Sequence, residues 1–465
     1  MDARIITEEE AIIWCSREED HFFDRKQTGI DGEKLQKLIS AFSNSDGGEI
    51  VIGISDEKTD KIPLNRWKGM PKIEDFNSYI QVIDKIKQRL DFRLEFLKRD
   101  PFNGYVLYIQ IEKSTEIIET EKSKVYQRKG AQSLEVKGAF KLQELAYAKG
   151  HQSFEDEISQ AIDVDDIEGA KELRHFCETN IRAKGIEPLD LLINQHIIDK
   201  NWSVKVAAIL LFHENPSAVL NKHCGIKVVR YNTPDEDPSR DDLTEDAITL
   251  EGPLYKLINE SFEKINEFTN KIKTWTYEGY QTPKYPHETV WELLVNAVIH
   301  RDYSISDNIL VKIFNDRIEI KSPGRLPGIV KLTNILESRH SRNTKLVRML
   351  SYYQNPPNKE MGEGINTAFQ KMQDDGKSKP EFSEEENYLV VKIKHSYSGL
   401  PEDVVLNFTK KHKEINNIQA RNLTGIYDSS AITRIFDKLR RLGHLKHNGL
   451  SGTNSAWIEY SISHN

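Results

Sequence analysis

The chain has 465 residues, of which 38% are hydrophobic and 30% are charged, and its mean hydropathy is −0.59. At roughly 150 residues per domain this length predicts about three domains, and the apolar content excludes wholesale disorder. The net charge of −8 excludes a uniformly basic nucleic-acid coat, so any nucleic-acid contact has to come from local patches.

No segment of the sequence predicts a membrane span or a disulfide framework. The longest purely apolar run, Val206–Phe212, is far shorter than the ~20 residues that cross a bilayer. The first ten residues are acidic and lack a signal-peptide core. Cys15, Cys177 and Cys224 lie far apart, which argues against a cysteine-based zinc site. We therefore expect a cytoplasmic protein with no membrane partner.

Residues 1–150 are predicted to form a mixed α/β unit. Asp31 can cap a helix whose apolar residues recur at helical spacing up to Phe42. A turn cluster at 44–48 then leads into a strand rich in Ile and Val, Glu49–Ser55. A second helix is predicted over 77–90, and further strands over 93–98, 105–112 and 124–128.

The rest of the chain is predicted as an acidic connector of helices over 151–185, a second α/β unit over 186–398, and a C-terminal module over 399–465. Val204–Phe212 is compatible with a buried helix or a buried strand. Long helices follow over 252–272 and 286–300, then a hairpin formed by 309–314 and 317–321. The module consists of short helices and a terminal hairpin.

The helix over 286–300 carries the most informative polar pattern. Glu292, Asn296 and His300 are spaced by four and share one stripe. A carboxylate can orient or deprotonate a water, an amide oxygen can ligate Mg²⁺, and His300 and Arg301 could reach phosphates. The alternative from this helix alone is a solvated polar stripe. Glycine turns follow at 321–328 and 360–365, where backbone N–H groups can face phosphate.

This ordered set resembles a GHKL-type ATP-binding domain of bacterial proteins often labelled as divergent ATPases or DNA helicases. The residues that carry the resemblance are the E-x-x-x-N helix with HRDY, DRIEIKSPGRLP, SRN and MGEGI. The resemblance implies Mg-ATP, with Glu292 activating water, Asn296 binding Mg²⁺, and Leu326–Met361 as the ATP lid. It implies nucleotide contacts from the following residues: Asn296, His300, Arg301, Ser322, Gly324, Gly362 and Gly364.

The sequence departs from the broader superfamily at the first glycine box. The D-x-G-x-G pattern, whose aspartate reads adenine, is replaced here by Ser322–Leu326. A G-x-x-x-x-G-K-[ST] motif is absent from the sequence, so a P-loop helicase motor is not supported.

The N-terminal segment carries carboxylates beside a lysine. Glu19, Asp24, Lys26 and Asp56 could bind metal and activate water against a phosphodiester, while on spacing alone they are equally compatible with ordinary surface charge. The pattern from Glu19 to Asp56, with YQRKG at 126–130, resembles a Schlafen-type AlbA domain. Some Schlafen proteins are RNA nucleases with three acidic residues, which by position would be Glu19, Asp24 and Asp56, with Lys26 and Arg128 as nucleic-acid contacts. Asp24 stands where glutamate is usual.

The last 66 residues are locally basic. Residues 400–465 contain nine Lys and Arg against six Asp and Glu, a net +3. A helix with an apolar face, capped by Asp428 or Ser429, precedes a hairpin, and the order resembles a winged helix-turn-helix. Such a module binds a DNA groove or serves as a protein contact. The candidate nucleic-acid contacts are Thr433, Arg434, Lys438, Arg441 and, in the wing, Lys446.

The combined prediction is a mixed α/β (α+β) multidomain protein. The domains are a Schlafen AlbA-type nucleic-acid-binding or nuclease domain (1–150), a helical connector (151–185), a GHKL-like α/β sandwich that binds ATP (186–398) and a winged helix-turn-helix (399–465). The predicted function is a cytoplasmic Mg-ATP-binding and hydrolysing protein whose nucleotide state regulates its engagement of DNA or RNA. One alternative is an ATP-gated metal-dependent nuclease, plausible in phage defence. The other is a ligand-sensing transcription regulator with a degenerate ATP site. The resemblance also implies a homo-oligomer.

Overall fold

The structure is a computed structural model, and it describes residues 3–100, 104–180, 186–338, 340–358 and 364–460. The chain divides into two compact units. The N-terminal unit comprises Met1–Ser153 and Leu326–Arg342, and the C-terminal unit comprises Phe154–Arg325 and Asn343–Asn465. The predicted lid, 326–361, is therefore divided between the units, and its last three residues lie outside the described residues. The prediction of a mixed α/β multidomain chain is confirmed.

The N-terminal unit is built on a five-stranded sheet with the order β1-β4-β5-β3-β2. β3 is parallel to β2 and antiparallel to β5. Its elements are β1 Arg4–Ile6, α1 Glu8–Ser16, β2 Phe23–Lys26, α2 Gly32–Ser43, β3 Gly48–Ile52, α3 Asn77–Asp84, β4 Phe92–Arg99, β5 Tyr105–Ile111, β6 Tyr126–Lys129, β7 Gln132–Glu135 and α4 Ala139–Lys149.

Alternation along β3 gives this sheet a buried face on each side. Ile50 and Ile52 pack with the apolar face of α2, whereas Val51 packs with Ala11 and Cys15 of α1. Successive strand residues point to opposite faces, so α1 and α2 cover opposite sides. The predicted cap is present, because the Asp31 side chain accepts a hydrogen bond from the Glu33 amide.

The second predicted helix is shorter than expected. α3 ends at Asp84, six residues before the predicted end. Between residues 85 and 91 only Ile86 is buried and four residues are charged. Without an apolar stripe to bury, this stretch has little reason to stay helical.

The C-terminal unit contains the larger apolar core and a six-stranded sheet with the order β14-β15-β13-β12-β8-β9. Its elements are α5 Val164–Glu168, α6 Lys171–Thr179, α7 Pro188–Asn194, α8 Val206–Phe212, α9 Pro216–Leu220, β8 Ile226–Arg230, β9 Ile248–Leu250, α10 Leu254–Asn270, β10 Thr274–Thr276, β11 Gly279–Gln281, α11 His287–Ile299, β12 Ile309–Ile313, β13 Arg317–Pro323, α12 Thr344–Leu350, α13 Gly364–Asp374, β14 Glu381–Glu385, β15 Tyr388–Lys394, α14 Pro401–His412, β16 Glu414–Ile415, α15 Asn417–Thr424, α16 Ser429–Arg441, β17 Leu445–His447 and β18 Trp457–Glu459.

Helices pack against this sheet and against each other. α10 contacts β8 and β12, α11 contacts β13, and α11 packs along α13. The ambiguous apolar run is the helix α8, whose seven residues are all buried. Because α8 is surrounded by other helices and the core, it needs no polar face, and its periodicity could not distinguish helix from strand.

The last elements form three helices and a three-stranded sheet with the order β16-β18-β17. They pack against the β10–β11 hairpin, where the Trp275 ring contacts Phe408 and the Tyr277 ring contacts Tyr397. The Thr274 hydroxyl donates to Asn422 Oδ1 at 2.8 Å. These contacts join the C-terminal elements to the rest of their unit.

Candidate functional site

The helix α11 positions the two central candidate residues. Its apolar residues are buried, including Val290, Leu293 and Val298, whereas Glu292 and Asn296 are only half-buried. Residues four apart lie one above the other on a helix, so the carboxylate and the carboxamide share a face. Their helix therefore anchors itself by its apolar stripe and presents a polar one.

The first residue of α13 lies against this polar face. A Cβ atom added to Gly364 would stand 2.4 Å from Glu292 Oε2 and 3.5 Å from Asn296 Nδ2. The start of α13 is therefore close to both groups only because residue 364 has no side chain. The first N–H groups of a helix have no partner within it and favour anions. A carboxylate, a carboxamide and a helix N-terminus thus meet at one place.

Neighbouring contacts fix the two helices of this site. The Thr289 hydroxyl donates to the Ala368 carbonyl of α13 at 3.1 Å, and both groups are buried. The Trp291 indole donates to the Pro357 carbonyl at 3.0 Å. The separation between α11 and α13 is held by buried hydrogen bonds on the same helical turn as Glu292.

Several other predicted nucleotide contacts shape the surrounding backbone. Arg301 is 1% exposed, and its guanidinium donates to the carbonyls of His223 and Ile305 at 2.6 and 3.2 Å and also to that of Asp307. Arg301 is therefore engaged by three backbone oxygens and is not directed at a ligand. His300 caps the end of α11, its amide donating to the Asn296 carbonyl.

The first glycine box continues this pattern. The Ser322 hydroxyl donates to the Ala297 carbonyl at 2.8 Å in a buried contact. Gly324 has φ +103, and its amide donates to the Asn387 carbonyl at 2.7 Å. Both residues connect β13 to its neighbours. Gly362 lies outside the described residues.

Asn343 is a functional residue that sequence reasoning left without a role. It is fully buried, and its Nδ2 donates to the carbonyls of Ile299 and Arg301 at 2.9 and 2.8 Å. These carbonyls belong to the end of the α11 helix and the residues after it, where helical partners run out. The only sequence signal was its membership of the SRN motif.

The N-terminal carboxylates form a buried ion-pair network. Asp24 is 2% exposed; it pairs with Lys26, and its Oδ2 lies 2.9 Å from Arg128 Nη1. Lys26 Nζ also lies 3.1 Å from Glu19 Oε1. Burial raises the pKa of Asp24 despite these cations. Burial also acts on Glu19, but the Lys26 charge and hydrogen bonds outweigh it and lower the pKa of that carboxyl.

The third candidate carboxylate stands apart. Asp56 is exposed and follows the end of β3 by four residues, and its carbonyl accepts from the Thr59 hydroxyl. Among the described residues, no group of three or more His, Cys, Asp or Glu side chains could hold a metal ion. The structure brings Glu19 and Asp24 together with Lys26, and it does not bring Asp56 to them as a metal-binding set.

Arg128 has structural partners beyond Asp24. Its guanidinium donates to the carbonyls of Asp20 at 2.8 Å and Phe23 at 3.2 Å, and it lies 4.7 Å from the Phe42 ring centroid. Arg128 is therefore a buried tie between β6, the turn before β2, and α2.

The C-terminal helix α16 separates its two faces as predicted from its spacing. Ile432, Phe436 and Leu439 are buried, and the Asp428 side chain accepts from the Ser430 amide as a cap. The candidate contacts Thr433, Arg434, Lys438, Arg441 and Lys446 are all exposed.

Two of these exposed cations already have neighbours. Lys438 Nζ lies 2.6 Å from Glu402 Oε1 of α14, and Lys446 Nζ lies 5.7 Å from the Tyr460 ring centroid. Arg434 is 3.8 Å from Asp428, at the limit of an ion pair. Arg434 and Arg441 are thus the cations of α16 with the greatest freedom to reach a ligand.

Comparison with known proteins places two families on this chain. Residues 19–137 match the family model "Schlafen, AlbA_2". Residues 306–393 match the HATPase_c_4 model, described as "Putative ATP-dependent DNA helicase recG C-terminal". No curated protein matches the chain. Among solved structures, the chain is similar to the DIP2311 protein of Corynebacterium diphtheriae, with 18% identity, a TM-score of 0.42, and coverage of 97% of this chain and 96% of that one.

The second match begins after the helix that carries the candidate site. It covers β12, β13 and β15, but Glu292 and Asn296 precede it. The site residues on α11 therefore rest on the geometry given above. No helix among the described residues is both long and apolar enough to cross a membrane.

Proposed function

For a chain that combines a Schlafen AlbA-type domain with an ATPase-like domain, we propose that the C-terminal unit binds and hydrolyses Mg-ATP and that its nucleotide state regulates engagement of nucleic acid. The observation that carries the proposal is the approach of Gly364 to Glu292 and Asn296. A helix start this close to a carboxylate and a carboxamide suits a phosphate chain with its metal ion.

Each residue has a definite task in this proposal. Asn296 holds Mg²⁺ through its amide oxygen, and the N–H groups at the start of α13 bind phosphate oxygens. Glu292 orients the attacking water and accepts its proton. When bound, Mg²⁺ neutralises the charge that develops on the phosphate oxygens. The residues present fit this group, because the space beside Glu292 exists only while residue 364 lacks a side chain.

Nucleic acid is the proposed partner of the two terminal parts of the chain. The matched family names, Schlafen AlbA_2 and a DNA helicase C-terminal region, favour this class of partner. The order helix, strand, helix, helix, strand, strand from α14 to β18 supports a winged helix, and the exposed Arg434 and Arg441 support α16 as its nucleic-acid face. A cytoplasmic location and homo-oligomerisation are parts of the same proposal.

One matched set of variants tests the ATP site. Asn296→Ala is expected to abolish Mg²⁺-dependent ATP binding, and Glu292→Gln to retain binding while losing turnover. Glu288→Gln is the control, since it makes the same change one turn earlier on α11 at an exposed residue that pairs with Lys371. Calorimetry and phosphate release measure the outcomes. Wild-type binding by Asn296→Ala would refute the site.

A second measurement tests the regulation. The affinity for single- and double-stranded DNA and RNA oligonucleotides is compared without nucleotide, with Mg-ATP and with Mg-ADP. We expect the affinity for one class to change several-fold with nucleotide state, and the change to be lost in Asn296→Ala. Identical affinities in all three states would contradict nucleotide control.

The ATP-gated nuclease and the transcription regulator remain predictions without a specific observation in their favour. The carboxylates of Glu19 and Asp24 are committed to Lys26 and Arg128, a pairing that disfavours metal binding. Cleavage of tRNA or single-stranded DNA that requires Mg²⁺ or Mn²⁺, and that is lost in Asp56→Ala, would reinstate the nuclease.

A further inference from the structure

We propose that a strap between the two glycine boxes is held by the N-terminal unit and that its docking there competes with ATP binding. The strap is defined as residues 326–338 and 340–342, which pack with the N-terminal unit although the flanking chain belongs to the C-terminal unit. The inference rests on the proposed ATP site and adds a regulatory device to it.

Polar contacts hold the first half of the strap. Lys331 Nζ lies 2.7 Å from Glu112 Oε2, with side chains that are 31% and 37% exposed. The next residue, Lys113, is buried and donates from Nζ to the Leu326 carbonyl at 3.2 Å. Adjacent residues after β5 thus bind two points of the strap, one by charge and one at its backbone.

The second half of the strap is held by shape. A Cβ atom added to Gly150 would stand 2.7 Å from His340 Nε2, and one added to Gly328 would stand 2.6 Å from the same ring. Both glycines have positive φ, +72 and +58, a conformation that L side chains rarely adopt. The His340 ring therefore occupies a slot between two glycines, one of the N-terminal segment and one of the strap.

Both ends of the strap are fixed at the candidate ATP site. Gly324, two residues before the strap, closes β13. Asn343, directly after the strap, holds the end of the α11 helix through two buried hydrogen bonds. Nucleotide binding that changes either anchor changes the path available to the strap, and the coupling is reciprocal by linkage.

The docked position also leaves apolar side chains in water. Ile329, Leu332 and Leu336 are 48%, 41% and 43% exposed, and they have the spacing of one helical face. The chain between them is a series of turns, with amide-to-carbonyl bonds from Asn334 to Lys331 and from Glu337 to Asn334. A second position that extends these turns and buries this face would compensate for breaking the ion pair and the hydrogen bond that hold the first half of the strap.

Charge exchange across the ion pair tests the competition. Lys331→Glu and Glu112→Lys each place like charges opposite one another, and the double exchange restores the pair. Lys122→Glu, in an exposed ion pair of the same unit, is the control. Hydrogen exchange of residues 326–342 and calorimetry with Mg²⁺ and ATP are measured on the full chain.

We expect each single reversal to speed exchange of the strap and to tighten ATP binding about two- to five-fold, the range of an exposed ion pair. The double exchange and the control should match wild type. Mg-ATP should speed strap exchange in wild type. Faster exchange with unchanged ATP affinity, or ATP binding without any change in exchange, would overturn the strap alone. Absence of ATP binding to wild type would refute the proposed function, and the competition with it.

Discussion

Gly364→Ala is the sharpest single test of the nucleotide site. The new Cβ would stand 2.4 Å from Glu292 Oε2, and ordinary contact begins at 3.4 Å. The carboxylate therefore has to move by about 1 Å, a displacement that can cost about 100-fold in rate. The same Cβ reaches ordinary contact with Asn296 Nδ2, so the metal ligand is less affected than the residue that orients the water.

The backbone itself should accept this substitution. Gly364 is the first residue of α13 and is not among the residues with positive φ. Alanine is favoured over glycine in a helix by up to about 1 kcal/mol, so the thermal midpoint should hold or rise. We thus expect a folded variant with turnover reduced about 100-fold and a smaller loss of ATP affinity.

Phosphate release, calorimetry and thermal unfolding measure the three quantities. Gly169→Ala is the matched control, because Gly169 has φ −72 and its added Cβ would meet only the Asp165 carbonyl, at 3.3 Å. Wild-type turnover in a folded Gly364→Ala variant would refute the assignment of this site. Loss of both folding and turnover would leave Glu292→Gln, which adds no atoms, as the deciding variant.

Three further predictions concern other parts of the chain. Burial, with the charge of Lys113, lowers the pKa of Lys149 from 10.5 to about 7; the unfolded chain then binds this proton more tightly, so stability falls as the pH drops from about 10 to 7, by on the order of 5 kcal/mol. Lys149→Met should remove that dependence, and urea unfolding at pH 7 and pH 9.5 with the same difference as wild type would contradict it. Asn343→Ala should lower the free energy of unfolding by about 2 to 4 kcal/mol, since two buried carbonyls lose their donor; an unchanged urea midpoint would disagree. Reversal of Arg434 and Arg441 to Glu should reduce the salt slope of duplex DNA binding by about two, and an unaltered slope would exclude α16 as the contact.

The parts of this molecule that depend on local pattern were predictable. Asp31 and Asp428 cap helices as their positions indicated, and Glu292 and Asn296 share a face because a helix repeats every 3.6 residues. These features need only the residues within one element and its ends.

Contacts between distant residues were not predictable in this way. Asp24 and Arg128 are separated by 104 positions and pair in a buried network, and Gly364 meets Glu292 across 72 positions. Periodicity contains no information on which elements become neighbours. The functional proposals that relied on exposed charge, such as Arg301, changed most when those neighbours became known.

The discontinuous N-terminal unit has a consequence for the order of events during synthesis. Its two apolar clusters use residues up to Ile118 only, so that core can form early. The strap follows the first part of the unit by roughly 190 residues, which at about 5–20 residues per second takes roughly 10–40 s. For that time Glu112, Lys113 and Gly150 face solvent without the strap. A ribosome-bound chain therefore passes through a state in which this surface is open to other molecules, and the mature protein closes it with its own sequence.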